Sequence, residues 1–182
     1  MNTRTVSGMT IRKARPEDSG ALAEMGQLAY RQHFSYLWTE EGLERYLENA
    51  YQPDFFEKTI RDENAVIWLA LLESQICGYL IYHRSKSLSQ AGNNGGYINR
   101  IYLLDHCAGM GLGSRLLHLA VDQGKADQKD YLWLEVMQSN EESIAFYQKQ
   151  GFDFRGATAF TRFPMRTEAL SRMWWMVKVL NA

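Results

Sequence analysis

The sequence is poor in cysteine and has almost no net charge. Its only cysteines, Cys77 and Cys107, are too few for a disulfide framework and lack the spacing of a redox or zinc motif. The 20 lysines and arginines nearly balance the 21 aspartates and glutamates, which argues against nucleic-acid binding and against an electrostatic membrane anchor. The 4 histidines have no metal-ligand spacing, so no metal is expected.

Long apolar runs are also missing. No stretch approaches the roughly 18 apolar residues of a membrane span. The polar start, residues 1–8, lacks the basic head and apolar segment of a secretory signal. These absences predict a cytoplasmic protein that does not insert into a membrane. Hydrophobic content of 46% is sufficient for a buried core, and we expect a flexible N-terminus at residues 1–8 followed by a single domain over residues 9–182.

What is present is a set of apolar patterns that predicts an α/β (α+β) fold. The predicted elements are a strand near 9–12, helices beginning near 16, 39 and 53, strands at 65–72, 76–83 and 97–104, a helix at 111–128, a strand at 131–137, a helix at 141–150, and strands near 152–163 and 172–180. The helix between the strands at 97–104 and 131–137 predicts one parallel crossover. The remainder predicts a mixed, mostly antiparallel sheet of about seven strands with helices on both faces.

The apolar run at residues 173–176 has two interpretations. It is typical of a buried terminal strand, and it is also typical of a strand edge at a dimer interface. A homodimer is therefore left open.

A glycine-rich turn lies between a predicted strand and a predicted helix. Gly109, Gly111 and Gly113 let backbone N–H groups converge at the positive end of the helix, where phosphate groups are stabilised. A tight turn with no ligand is the alternative. The triplet reads G-x-G-x-G and lies far from the N-terminus, unlike a dinucleotide fingerprint, and Ser114-Arg115 lacks the lysine of a P-loop.

A second segment, residues 140–152, follows the next strand. It reads Asn-Glu-Glu-Ser-Ile-Ala-Phe-Tyr-Gln-Lys-Gln-Gly-Phe and predicts a short helix that carries the phenol of Tyr147 and ends at Gly151. The two segments together suggest a phosphorylated cofactor with a proton donor beside it.

The two segments resemble the two cofactor motifs of the GNAT acyltransferase superfamily. Gly111-x-Gly113 is similar to the acetyl-CoA pyrophosphate loop, Q/R-x-x-G-x-G/A, and residues 140–152 are similar to N-x-x-A-x-x-F-Y-x-K-x-G-F, with Ser143 at the alanine position. The resemblance covers residues 9–180. The aromatic N-terminal stretch and the strand at 99–103 resemble bacterial polyamine (spermidine or diamine) N-acetyltransferases. Residues 132–136 also resemble enzymes that acetylate protein N-termini.

The resemblance implies a GNAT-type fold and transfer of an acetyl group from acetyl-CoA, as cosubstrate, to the primary amine of a polyamine or other small molecule, by direct attack in a ternary complex. The implied cofactor contacts are Ile101, Tyr102, Leu103, Ala108, Gly109, Met110, Gly111, Leu112, Gly113, Ser114, Asn140, Ser143, Tyr147 and Lys149. Ala108 stands where the motif has glutamine or arginine, so one side-chain contact to the pyrophosphate is missing while the backbone donors remain.

The resemblance also assigns chemistry to Tyr147, which would protonate the departing thiolate. A phenol with a reference pKa of about 10 is protonated at neutral pH; the alternative is a core aromatic residue. Alternation places Glu135 on one face of its strand with Tyr131 and Trp133, so Glu135 is either a general base or a salt-bridged carboxylate. The implied acceptor-binding residues are Tyr30, His33, Phe34 and Asn99. Acetylation of a peptide N-terminus and a non-catalytic acyl-CoA or amine sensor are the other functional hypotheses.

Overall fold

Short sequence signals set the ends of the helices in the computed structural model, which describes residues 8–180. The Thr39 side chain accepts a hydrogen bond from the Gly42 N–H (3.1 Å), and Pro53 opens the third helix. The helices are α1 (Ser19–Phe34), α2 (Glu40–Ala50), α3 (Pro53–Arg61), α4 (Leu112–Ala126) and α5 (Glu141–Lys149). Short 3-10 turns lie at Pro16–Asp18, Ser35–Leu37, Asp105–Cys107 and Glu168–Ser171.

Seven strands form one sheet. They are β1 (Met9–Lys13), β2 (Ala65–Leu72), β3 (Gln75–His83), β4 (Gly95–Leu103), β5 (Tyr131–Met137), β6 (Asp153–Ala159) and β7 (Arg172–Val179). Their order is β1-β2-β3-β4-β5-β7-β6, and every neighbouring pair is antiparallel except β4 and β5. The predicted fold class, with its single parallel crossover, is confirmed.

The sequence patterns place two strand ends differently from the structure. β4 begins at Gly95, two residues before the predicted start, and β6 ends at Ala159 instead of near residue 163. Beyond β6 the chain leaves the sheet because Met165 pairs with Trp38 in an isolated bridge. β7 lies between β5 and β6, so residues 173–176 do not form a sheet edge. Met176 is buried and residues 173–175 are partly buried, and a homodimer stays a prediction.

Helices cover both faces of the sheet. Tyr79 and Tyr82 of β3 point to opposite faces because side chains alternate along a strand. Tyr79 lies under α1, near Gly26, whereas the Tyr82 hydroxyl donates to Asp127 at the end of α4 (3.1 Å). None of the helices within residues 8–180 is long and apolar enough to span a bilayer. The predicted flexible start lies outside the described residues except for Gly8, and the single domain over residues 9–182 stays a prediction.

The parallel pair β4–β5 is joined along only part of its length. Gly95–Ile98 pairs with residues 131–134, and beyond Ile98 and Leu134 the two strands are no longer paired. β4 remains paired to β3 as far as Leu103, with one irregularity: Arg100 pairs with Ile81 and Ile98 with Tyr82, so Asn99 is an extra, bulged residue. The sheet therefore opens into a gap beside a bulge.

The contact between α1 and the sheet depends on a glycine. A Cβ atom added at Gly26 would lie 2.7 Å from Cδ1 of Tyr51 and 3.2 Å from the hydroxyl of Tyr79. Both tyrosines are completely buried, so they have no space into which to move. We expect Gly26→Ala to lower the free energy of unfolding by about 1–3 kcal/mol through overpacking, measured by urea denaturation.

Gly20 provides the matched control in the same helix. A Cβ atom there would meet nothing within 4 Å, and alanine is the better helix former by up to about 1 kcal/mol. We therefore expect Gly20→Ala to be neutral or stabilising. Equal effects of the two substitutions would show that Gly26 is not a packing requirement.

Candidate functional site

Two adjoining cavities occupy the gap between β4 and β5. The larger cavity has a volume of about 520 Å³ and reaches from Ala108 and Gly113 to α5. The smaller cavity has a volume of about 230 Å³ and lies between α1, α2 and the diverging strands. The residues that line both are Phe34, Ile101, Tyr102, Asn140 and Tyr147. These shared residues mark a junction through which a molecule in one cavity can meet a molecule in the other.

The glycine turn forms the outer end of the larger cavity. Gly109 and Gly111 have positive φ angles of 74° and 78°, and Gly111 is the N-cap of α4. A Cβ atom at either glycine would meet nothing within 4 Å, so the backbone there is open to a ligand. Leu112 is completely buried and anchors the start of α4 in the core. The turn thus presents backbone N–H groups and the positive end of a helix to solvent.

Asn140, at the start of α5, lines this cavity, whereas Lys149, at the end of α5, does not. Asn140 caps the helix, since its Oδ1 accepts a hydrogen bond from the Ser143 N–H (3.0 Å), and Asn140 lines both cavities. Ser114 of α4 is tied to α5, since Gln150 Nε2 donates to its hydroxyl (3.3 Å). Lys149 is exposed at the far end of α5 and is not among the lining residues of either cavity.

Tyr147 lies at the junction of the two cavities. It packs between Phe146 and Phe152, with ring centroids 5.3 and 5.8 Å away, and its side chain is 8% exposed. Burial raises the pKa of Tyr147 above the usual value of a phenol because the charged phenolate is poorly solvated there. The hydroxyl therefore keeps its proton throughout the neutral pH range and can donate it.

Glu135 lines the smaller cavity in a hydrogen-bonded cluster. Its Oε2 accepts from the Tyr97 hydroxyl (2.8 Å) and its Oε1 from Trp175 Nε1 (3.3 Å). Asn99 Nδ2 lies 3.5 Å from the Tyr97 oxygen, at the limit of a hydrogen bond. Within residues 8–180, no basic side chain lies within 4.0 Å of Glu135, so it is not the salt-bridged carboxylate that the sequence left open.

The ammonium group of Lys86 lies over two aromatic rings beside this cluster. The Lys86 ammonium lies 3.7 Å from the centroid of the Tyr97 ring and 5.5 Å from that of Trp133. Burial lowers the pKa of Lys86, and the charge of Glu135 opposes that effect. Burial also raises the pKa of Tyr97, and the neighbouring Glu135 charge adds to the shift.

The expected acceptor-binding residues divide between the two cavities. Tyr30 and Asn99 line the smaller cavity, and Phe34 lines both. His33 lies instead in the larger cavity, where its Nε2 is 2.8 Å from the Leu103 carbonyl oxygen and 3.5 Å from Asp105. His33 therefore lines the cavity that reaches the glycine turn.

The structure adds wall residues that sequence reasoning missed. The additional side chains of the smaller cavity are Trp38, Tyr46, Arg100, Phe160, Met165 and Met173. Most come from segments that are distant in sequence, and Arg166 holds one of these segments in place by donating to the Trp38 carbonyl oxygen (2.6 Å). A sequence signal existed only for Arg100, a charged residue in the middle of an otherwise apolar strand pattern.

Comparisons with known proteins agree with this geometry. The profile of the Acetyltransferase (GNAT) family matches residues 25–152. An uncharacterized N-acetyltransferase in the pepI 3' region of Lactobacillus delbrueckii subsp. lactis is 24% identical over 147 residues, which cover 80% of this chain and 85% of that protein.

Solved structures share the fold at low identity. The PaiA N-acetyltransferase of Thermoplasma acidophilum, crystallised with coenzyme A, superposes with a TM-score of 0.75 at 19% identity, covering 94% of this chain and 98% of that one. YncA of Salmonella typhimurium, solved with acetyl-CoA, gives 0.67 at 18% identity, covering 97% and 96%. The family profile spans more than two thirds of the chain and includes both cofactor motifs. The protein belongs to the acetyltransferase (GNAT) family and is an N-acetyltransferase that uses acetyl-CoA as its acetyl donor.

Proposed function

We propose that the protein transfers the acetyl group of acetyl-CoA to the primary amine of a small molecule by direct attack, with both substrates bound at once. The observation that carries the proposal is the junction at Asn140 and Tyr147, where the larger and smaller cavities meet. Direct attack needs the thioester and the amine in contact, and adjoining cavities allow both to be held in near-attack geometry.

The larger cavity has the features that a CoA molecule requires. The open backbone at Gly109 and Gly111 suits a pyrophosphate at the start of α4. The unpaired edge of residues 101–103 offers backbone groups to an extended arm, and the Asn140 amide nitrogen offers a further donor. Acetyl-CoA supplies the activated acyl group. Ser143 contributes its N–H to the cap of α5, and exposed Lys149 is the weakest of the proposed contacts.

The smaller cavity favours a small acceptor over a protein N-terminus. Its volume of about 230 Å³ is below the range of about 300–1,000 Å³ typical of drug-sized ligands. A polyamine fits by size, but it would need carboxylates along the wall. Glu135 is the one carboxylate among the described lining residues, and Arg100 opposes a second positive charge. A small amine with one cationic group is therefore the acceptor that the cavity supports best.

We assign the removal of the amine proton to Glu135, directly or through one water molecule. It lies on the wall that also carries Tyr147, and two donors fix the orientation of its carboxylate. A fixed carboxylate close to the attacking nitrogen can accept a proton as the bond to the acetyl carbon forms.

We expect Glu135→Gln to lower kcat by about 100-fold, within the range typical of general-base removal, without changing CoA affinity. Glutamine retains the shape: its Oε1 can accept from Trp175 Nε1 and its Nε2 can donate to the Tyr97 hydroxyl, so the fold should be unaffected. Steady-state kinetics and calorimetric CoA titration provide the two measurements. Glu24→Gln, at an exposed position of α1, is the charge-matched control. A Glu135→Gln enzyme with wild-type kcat would remove the base assignment.

The proposed function is tested by measuring release of the free CoA thiol with a panel of amines. The panel contains alkyl monoamines, diamines, spermidine, amino acids, amino sugars and short peptides with free N-termini. We expect release with small monofunctional amines or amino acids. Turnover confined to peptides would favour N-terminal acetylation instead. Stable CoA binding without release by any amine would favour a non-catalytic sensor and sink the proposal.

A further inference from the structure

The wall of the smaller cavity contains a cation that has no carboxylate partner. Arg100 is the only arginine among the described lining residues, and within residues 8–180 no Asp or Glu oxygen lies within 4.0 Å of its guanidinium. Arg100 comes directly after the bulge at Asn99, which brings it to the same face of the sheet as Tyr97. Because Arg100 pairs with Ile81 and Tyr102 with Tyr79, Arg100 shares a face of the sheet with Tyr102, under α1 and α2.

The contacts of Arg100 use only part of its hydrogen-bonding capacity. Its Nη1 donates to the Ala50 carbonyl oxygen at the end of α2 (2.9 Å). The guanidinium carbon lies 4.5 Å from the centroid of the Tyr51 ring and 4.6 Å from that of Phe55. A guanidinium has further N–H donors in a planar fork and stays charged at any accessible pH. The guanidinium also interacts with the Tyr79 hydroxyl, and because Arg100 lines the smaller cavity, donors beyond these contacts can reach a ligand.

The surrounding polar groups are also donors. Arg100 interacts electrostatically with four phenols, those of Tyr79, Tyr51, Tyr46 and Tyr102. The hydroxyls of Tyr51 and Tyr79 are buried and make no hydrogen bond of good geometry within residues 8–180, and the Tyr79 hydroxyl interacts with both Tyr51 and Arg100. Burial raises the pKa of Tyr79 to about 12, so its hydroxyl keeps its proton. Arginine and phenols together form a site rich in donors.

A buried cation and buried hydroxyls without partners are costly, and an anion would satisfy them together. A carboxylate suits the site because its two oxygens match the planar fork of a guanidinium. The same cavity is lined by Glu135 and Tyr147. The cavity therefore contains one carboxylate and one guanidinium, which complement a molecule that carries both an amine and a carboxylate.

We propose that Arg100 binds a carboxylate of the acceptor, and hence that the substrate is a small amino acid or a related amine that carries a carboxylate. This inference rests on the proposed amine acetylation and specifies its substrate class. The Tyr46 and Tyr102 side chains share the wall with Arg100 and complete the subsite. Arg100 determines specificity and takes no part in proton transfer.

The first test compares each amino acid with the amine that remains when its carboxylate is removed. Suitable pairs are leucine with isopentylamine, lysine with cadaverine, and 5-aminopentanoate with butylamine. We expect kcat/KM to be roughly 10- to 100-fold higher for the amino acid of at least one pair, the range of a charged hydrogen bond. Carboxylate-free amines that match or exceed their partners in every pair would overturn the subsite.

Variants then locate the preference. Arg100→Gln should abolish the preference for the amino acid, mainly by raising the KM of the amino acid. Turnover of the carboxylate-free amine should stay within about threefold of wild type, because this amine does not make the lost contact. Arg100→Lys, which keeps the charge without the fork, should restore part of the preference. Arg31→Gln removes an exposed arginine that pairs with Glu44 and is the charge-matched control. If Arg100→Gln lowered kcat/KM equally for the amino acid and for its carboxylate-free amine, Arg100 would have a purely structural role.

A binding measurement separates failure of this inference from failure of the proposed function. Calorimetric titration of the CoA-bound protein with 5-aminopentanoate, leucine and lysine needs no turnover. Binding of one of them to wild type but not to Arg100→Gln, without thiol release by any amine, would retain the carboxylate subsite and reject the acetylation. Absence of binding by all of them would reject the subsite whatever the amines do.

Discussion

Replacing Tyr147 with phenylalanine should lower kcat by about 100-fold or more while leaving CoA affinity unchanged. Tyr147 lies at the junction of the two cavities and is the proposed general acid, and removal of a general acid typically costs at least about 100-fold. The thiolate that leaves in Tyr147→Phe must be protonated by water. Phenylalanine preserves the packing against Phe146 and Phe152, so the fold and the CoA contacts should persist.

The control for this substitution is Tyr82→Phe. Tyr82 lies on the opposite face of the sheet, where its hydroxyl donates to Asp127. We expect this variant to lose some stability and to keep wild-type kcat. Stopped-time thiol detection gives kcat, and calorimetry gives the CoA affinity. A Tyr147→Phe enzyme with full turnover would return Tyr147 to the role of a core aromatic residue.

The raised pKa of Tyr147 also determines how its contribution to kcat changes with pH. The protonated phenol is the active form, so its contribution is present below the pKa and lost above it. Because burial moves this pKa upward from the usual value of about 10, Tyr147 causes no loss of activity between pH 7 and about pH 10. A decline of kcat in that interval that disappears in Tyr147→Phe would contradict the assignment.

The fold was predictable because local patterns and global architecture agree. The caps at Thr39 and Asn140 and the proline at 53 lie where capping chemistry and periodicity place them. The hairpin between β2 and β3 is also present, but its turn, Glu73–Ser74, is one residue shorter than predicted. Resemblance to the two cofactor motifs then identified the turn at Gly111 and the helix of Tyr147. These features depend on residues close together in sequence.

The acceptor side of the site was not predictable in the same way. Simple alternation along β4 places Tyr97 and Asn99 on one face and Arg100 on the other. The bulge at Asn99 changes this, because pairing resumes one residue later and brings Arg100, with Tyr102, to the same face as Tyr97. A bulge has no dependable sequence signal. The bridge between Trp38 and Met165, which closes another wall, joins residues that are remote in sequence.

The absence of a polar side chain at Ala108 makes the glycine turn more important. Family members that follow the motif add a glutamine or arginine contact there, whereas Ala108 offers none. In the proposed site, pyrophosphate binding at this end of the larger cavity depends on backbone donors at the start of α4. Those donors point outward only while Gly111 keeps its left-handed conformation, with φ of 78°.

Gly111→Val should therefore weaken CoA binding by about 10- to 100-fold. A β-branched residue at positive φ costs roughly 1–3 kcal/mol, so the turn will shift to a conformation that misdirects its N–H groups, and the new side chain will fill the open space before α4. CoA affinity is measured by calorimetry. Pantetheine, which lacks the pyrophosphate, should bind the variant and wild type equally, because its contacts lie near Ile101 and Asn140, away from the turn.

Gly92→Val separates backbone strain from loss of the phosphate contact. Gly92 also has a positive φ, 117°, and the nearest atom to an added Cβ is Tyr131 Cε1 at an ordinary 3.7 Å. It lies in the connection before β4, outside both cavities. This variant should lose stability as Gly111→Val does, yet bind CoA normally. Equal weakening of CoA and pantetheine by Gly111→Val would mean that the turn supports the fold and does not recognise the pyrophosphate.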